Sequence, residues 1–337
     1  MEVIHINIFG SYFKVSSNSN DILSRLRLDF AKFLITVQED SPSSYDSIEV
    51  LVQTPPWDLL PPKVAIKQTD TSIIYEENGV RYNDYHNKAL SIVDTNTKHA
   101  VIYSDQVDLA HELGFLLILS KSGKKMDLEG LHKIHAMGVQ LNNTNIIFMA
   151  SSKTGKSSLF LELLKDPQVK IYSDDTPVIN SQGEILPFPF RIGINNREEA
   201  PEYINKDFIY TLNRRAHGQK HLIPLSAINR DIAHYQKNQR TVLIVGVRTR
   251  GESRIQTIST LEMFKHLQKH MVIGVGLPMV LEYFLESGLR DLLKRFLIIF
   301  KRSKAALALV TKAECYLFEC GPDIEYNSKL LKERLKL

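Results

Sequence analysis

The run Asn145-Ile146-Ile147-Phe148-Met149, followed by Ala150-Ser151-Ser152-Lys153-Thr154-Gly155-Lys156-Ser157, constrains this chain more than any other stretch. Five residues rich in apolar side chains read as a strand. The small polar residues after them turn, and Ser158-Leu159-Phe160-Leu161-Glu162-Leu163-Leu164 continues as a helix expected over 156–165 and stopped by Pro167. Strand, loop and helix in that order bring successive backbone N–H groups to one point, where the helix N-terminus adds partial positive charge. That is the context of a nucleotide-phosphate cradle. Ser151, Ser152, Lys153, Thr154, Gly155, Lys156, Ser157 and Ser158 are the candidate nucleotide-binding residues. Lys156 can reach the β- and γ-phosphates of ATP, and the Ser157 hydroxyl can ligate Mg²⁺. Ala150 stands where the usual pattern has its first glycine, which is tolerable if that residue needs no positive φ. The plainer alternative is a chance Gly-Lys-Ser opening an ordinary helix.

A second β-branched run, expected as a strand over 169–173, ends in Asp174-Asp175. If it neighbours the strand feeding the loop, both carboxylates emerge at the carboxyl ends of the strands, where ligands bind in open α/β sheets. One acid can then hold the metal while the other accepts a proton from an incoming hydroxyl. Asp174 is preferred as the proton acceptor and Asp175 as the metal ligand. Standing alone, Ser-Asp-Asp-Thr-Pro is a polar turn.

Around these motifs the chain of 337 residues divides in texture near residue 105. Residues 1–105 alternate short β-leaning runs (3–9, 48–53, 72–75, 100–103) with polar turns and one helix over 21–34, and read as an α+β accessory domain. Residues 106–337 alternate strands and helices and read as an α/β domain with a mixed central sheet. Helices are expected over 107–120, 261–269 and 280–300, a turn over 120–125, and strands over 241–247, 306–310 and 314–318. Apolar residues make up 43% and charged residues 24%, ordinary globular usage that excludes disorder and fibre. The net charge of +4 is too mild to argue for nucleic acid. Cys315 and Cys320 are five apart, which on a strand puts them on opposite faces and makes a disulfide between them improbable. No secretory signal is legible at Met1-Glu2-Val3-Ile4-His5, and the most apolar stretch, 271–281, is too short to span a bilayer. The expectation is a cytoplasmic protein without stable membrane association.

These pieces in this order resemble the HPr kinase/phosphorylase-like family, whose nucleotide fold is shared with phosphoenolpyruvate carboxykinase. The resemblance covers residues 131–194. Leu131-His132-Lys133-Ile134-His135-Ala136 resembles the family's histidine segment, Ser173-Asp174-Asp175 its paired aspartates, and Gly183-Glu184-Ile185-Leu186-Pro187-Phe188-Pro189 the turn of its kinase-like relatives. Arg191-Ile192-Gly193-Ile194 is similar to the Arg-Gly-[Ile/Leu]-Gly-[Ile/Val] stretch of HPr kinases. The likeness implies an ATP- and Mg²⁺-dependent serine kinase with a P-loop core. It places His135 and Arg191 beside Asp174 and Lys156 as catalytic groups, and implies assembly as a homo-oligomer. Without it, a lone histidine is more often a satisfied structural residue and Arg191 a surface charge. Ser158 stands where HPr kinases tend to carry Glu. That departure weighs against HPr as the substrate, while the long N-terminal region and the Pro-Phe-Pro turn resemble the branch that phosphorylates a ribosomally made precursor peptide of the lasso type. HPr as substrate, a small-molecule kinase and a nucleotide-binding module without catalysis stay open.

Two further stretches are ambiguous. The basic run Asn213 to His221, with Lys220 foremost, reads as a lid over the nucleotide or as a solvated loop. Residues 289–304 form a basic amphipathic pattern, most simply a core-facing helix with a charged outer face.

Overall fold

The computed structural model describes residues 2–36, 45–151, 154–214, 218–273 and 289–337. They build a mixed α/β protein of two compact units, Met1–Ser122 with Tyr210–Leu222, and Gly123–Ile209 with Ile223–Leu337. The sequence division at residues 105 and 106 falls just before the long helix in which the units meet along the chain.

The first unit is an eight-stranded mixed sheet in the order β1-β2-β3-β8-β7-β6-β5-β4. Its strands are β1 (Glu2–Ile8), β2 (Ser11–Ser17), β3 (Asp46–Val52), β4 (Lys67–Gln68), β5 (Ile73–Glu77), β6 (Val80–Asp84), β7 (Ala89–Asp94) and β8 (His99–Ser104). β2, β3 and β8 run parallel, and β8 back to β4 is an antiparallel meander. Helix α1 (Asn20–Asp29) buries Ile22, Leu23 and Leu26. It stops short of the expected residue 34 because the chain turns back on β1: Asn7 N–H donates to Phe33 O (2.8 Å) and Ile35 N–H to His5 O (3.0 Å). The exposed edge of β1 is thereby partly covered. Helix α2 (Val107–Glu129) runs straight through the turn expected over 120–125. Ser122, fully buried, donates to Leu119 O (3.2 Å) and so is satisfied by its own helix.

The second unit centres on a six-stranded sheet, with a small sheet of β9 (Leu131–Lys133), β13 (Val178–Asn180) and β14 (Ile185–Leu186) beside it. In the central sheet lie β10 (Met137–Leu141), β11 (Thr144–Ala150) and β12 (Lys170–Ser173). β15 (Ile192–Ile194) follows in sequence; β16 (Tyr210–Arg214) and β17 (Gly218–Ile223) then form an antiparallel hairpin that, up to Leu222, belongs to the first unit. The central sheet is completed by β18 (Arg240–Arg248), β19 (Arg254–Thr257) and β20 (Glu314–Cys320), in the order β12-β10-β11-β18-β20-β19. β11, β18 and β20 are parallel to one another.

Alternation along β11 sends Ile146 and Phe148 to one face and Ile147 and Met149 to the other. The first face packs on α3 (Lys156–Leu163) and α6 (Ile324–Leu335). The second packs on α4 (Thr260–Leu267) and α5 (Leu289–Val310). Cys315 and Cys320 fall on these opposite faces as free buried thiols, and burial pushes them up to about 11 and about 12. The strand expected over 306–310 is instead the end of α5, where Ala305, Ala306, Leu309 and Val310 bury at helical spacing. Along α5, Lys304 is exposed, but so are Phe296, Leu297 and Phe300, whereas Arg302 is buried; the side chains of 289–295 lie outside the described residues.

Candidate functional site

All seven residues of β11 are buried, and its last residue, Ala150, lies opposite Gly246 of β18. Ala150 keeps a negative φ, so its methyl is accommodated without strain. The positive φ is at Gly155, +95°, directly before α3, where a Cβ would lie 3.3 Å from Ile324 Cδ1. Leu159 N–H donates to Gly155 O (2.9 Å), which closes the first turn of α3. Ser151 and Ser158 are exposed and Thr154 is half-buried, while Ser152 and Lys153 lie outside the described residues.

The strand carrying the aspartates is not the neighbour of β11. β10 lies between them, antiparallel to each, so β12 runs in the same direction as β11 and ends at the same edge. That geometry brings the two motifs together. Lys156 Nζ donates to Asp175 Oδ1, and Ser157 Oγ donates to Asp174 Oδ2 at 3.1 Å. His135 Nε2 lies 3.3 Å from the same Asp175 oxygen, and Ala136 N–H donates to Asp175 O at 3.0 Å. Asp175 keeps 55% of its side chain exposed while Lys156 keeps 10%. Burial opposes ionisation of Asp175, but the His135 hydrogen bond and the Lys156 charge outweigh it. The carboxyl is held well below the usual carboxylate range.

Arg191 is half-buried, three residues beyond Phe188, whose N–H donates to Tyr172 O of β12 at 2.9 Å. Asn213 and Lys220 of the basic run lie on β16 and β17, within the first unit. Residues 215–217 of that run fall outside the described residues.

His270, which sequence reading did not single out, abuts this cluster. It sits in a π-turn, Gln268–Val272, closed by Ile273 N–H to Gln268 O (2.8 Å). Its carbonyl accepts from His135 N–H at 3.0 Å, and the two rings lie 6.0 Å apart. Burial, reinforced by the charges of His135 and Lys269, pushes its imidazole down to about 4. At the end of β9, Lys133 is buried with its ammonium 5.0 Å from the centre of the Phe188 ring, and burial pushes it down to about 7. Among the described residues no group of three or more His, Cys, Asp or Glu side chains could hold a metal ion, and no helix is long and apolar enough to cross a membrane. No model of a known protein family matches the chain, and a search of curated proteins finds no match either.

Proposed function

We propose that this protein is an ATP-dependent kinase of the HPr-kinase-like type, transferring phosphate to a serine or threonine hydroxyl of a peptide or protein. The observation that carries the reading is the pairing of both P-loop side chains, Lys156 and Ser157, with both aspartates, Asp175 and Asp174, at one edge of the sheet. A chance Gly-Lys-Ser has no reason to meet two carboxylates in that way. The left-handed Gly155 before α3 supports the same reading, since it aims the helix N-terminus at the loop.

Ser157 and Asp174 offer hard oxygens side by side, a donor set that fits Mg²⁺, which takes one or two side-chain ligands and the substrate's phosphates. When bound, the ion would neutralise charge developing on the phosphates. This assignment reverses the sequence-based preference and leaves Asp175 as proton acceptor, with His135 orienting it. The acceptor hydroxyl oxygen bonds to the γ-phosphorus, and the bond from that phosphorus to the β–γ bridging oxygen breaks. Its electron pair leaves on ADP, and the hydroxyl proton passes to Asp175. Lys156 turning from Asp175 to the phosphates removes one of the charges that hold Asp175 low, so nucleotide binding itself would make the base stronger. Ser158 in place of Glu, with the Pro-Phe-Pro turn, favours a precursor peptide over HPr as acceptor.

Incubation with γ-labelled ATP and serine-bearing peptides tests this. The wild type should label a peptide or protein, and Asp175→Asn should lower transfer about 100-fold or more while Mg-nucleotide still binds. Calorimetry showing no uptake of Mg-nucleotide by the folded wild type would overturn the reading.

A further inference from the structure

Arg302 of α5 is 3% exposed, a costly place for a guanidinium unless its N–H groups find acceptors. Its Nε donates to Asp127 Oδ1 (2.9 Å) and its Nη2 to Asp127 Oδ2 (2.6 Å), a two-pronged fork. Its Nη1 donates to Met271 O (2.9 Å) and Val272 O (3.4 Å). Those carbonyls end the π-turn that carries His270, and carbonyls at a helix end lack intrahelical donors. The same Asp127 Oδ1 lies 2.9 Å from His132 Nδ1, three residues before His135. The segment 131–135 is therefore tied to the π-turn at two places. One tie runs through Asp127 and Arg302 at His132, and the other is the bond from His135 N–H to His270 O.

We infer that Asp127 and Arg302 are a positioning pair, locking the π-turn to the 131–135 segment so that the His135 imidazole stays within reach of Asp175. The role in turnover rests on the phosphoryl-transfer reading; the mechanical role does not. A buried ion pair needed only for stability behaves differently: exchanging it for apolar residues of similar volume is often neutral or stabilising, and the folded protein works as before. A positioning pair fails in that exchange even when the fold survives, because the apolar pair offers nothing to the π-turn carbonyls.

The experiment compares wild type, Arg302→Lys, which keeps the charge but loses the fork, and the double variant Asp127→Leu/Arg302→Met. Steady-state transfer is measured on folded protein, with amide hydrogen exchange at His135. For either variant kcat should fall roughly 10- to 100-fold with the KM for Mg-ATP held within about twofold, the pattern of a misplaced reacting group rather than lost binding. Exchange at the His135 amide should quicken at least about tenfold while Phe148 and Ile244, in the central sheet, keep their protection. A folded double variant with wild-type kcat and wild-type protection at His135 would overturn the inference. A wild type that takes up no Mg-nucleotide would sink the kinase reading instead, and the exchange measurement would then still decide whether the pair holds the 131–135 segment.

Discussion

Burial pushes the His270 imidazole down to about 4, helped by the charges of His135, Lys269, His266 and Lys156. Between the ordinary histidine value near 6.5 and about 4, the unfolded chain takes up a proton there that the folded one refuses. Stability is therefore complete above that window and falls as pH drops through it. At about 1.4 kcal/mol per pH unit the loss amounts to roughly 3 kcal/mol at most. His270→Asn should remove it: urea unfolding at pH 7 and pH 4.5 should show a smaller gap in the variant, and an equal gap would clear His270 of the effect. Asp175 acts in the same sense at lower pH, contributing above the ordinary carboxylate value and losing that contribution as pH falls toward its depressed one, but its exposure keeps the effect small. At this scale the meeting of Lys156 and Ser157 with Asp174 and Asp175 was legible, because each pair is local in sequence and stands at a strand's end, although β10 lies between the two strands. His270 and Arg302 were not. They reach the site through a π-turn and a buried fork whose partners, Asp127 and His135, lie far away along the chain.

Elements were legible where one periodicity governed the burial. β11, β18 and β20 came out within two residues of expectation because they are apolar runs buried on both faces. The error at 306–310 has the same root: Ala306-Leu307-Ala308-Leu309-Val310 suits a buried strand or a helix equally, and only packing against the sheet decides it. β2, with Lys14 and three serines among its seven residues, hid in its own polarity. Among the six described glycines at positive φ, a conformation that other residues adopt at a cost, Gly155 and Gly183 bear on the second unit's helices. Gly155→Ala puts a methyl into the left-handed region and against Ile324, which should cost about 1–2 kcal/mol and tilt the amides of the loop. Thermal unfolding should show that loss, and, on the proposed function, calorimetry should show a weaker Mg-nucleotide affinity. An affinity equal to wild type would mean that the loop binds without the Gly155 geometry. Gly183, at φ +78°, comes so near the α5 backbone that a Cβ would stand 2.5 Å from Leu309 N, so Gly183→Ala should destabilise more than Gly155→Ala in the same thermal assay.

For the whole molecule, the first unit is discontinuous in sequence: β16 and most of β17 belong with residues 1–122 although the chain reaches them only after β15. The reason is a set of polar contacts, those of Asp29 buried and those of Asp108 nearer the surface, that the N-terminal residues cannot complete among themselves. Asp29, 2% exposed at the end of α1, accepts from Tyr210 Oη and lies 2.9 Å from His111 Nε2 of α2. Asp108 bonds Arg25 (2.7 Å) and both the backbone N–H and side-chain amide of Asn213 (3.0 and 2.8 Å). A division at residue 105, natural from composition, cuts away His111, Asp108, Tyr210 and Asn213 together. It takes both the Tyr210 and the His111 contact from the Asp29 carboxylate, a loss of about 1–3 kcal/mol each set against a small domain's total of roughly 5–15 kcal/mol. The fragment 1–105 should therefore fail to give a cooperative thermal transition or dispersed amide resonances. In the full chain, Tyr210→Phe should lower the stability of this unit by about 1–3 kcal/mol and raise exchange at the amides of α1 more than at those of β11. A fragment 1–105 that folds cooperatively by itself would show instead that the β-sheet core of Ile6, Ile8, Phe13, Val15 and Leu26 suffices, and that the hairpin is an appendage to it.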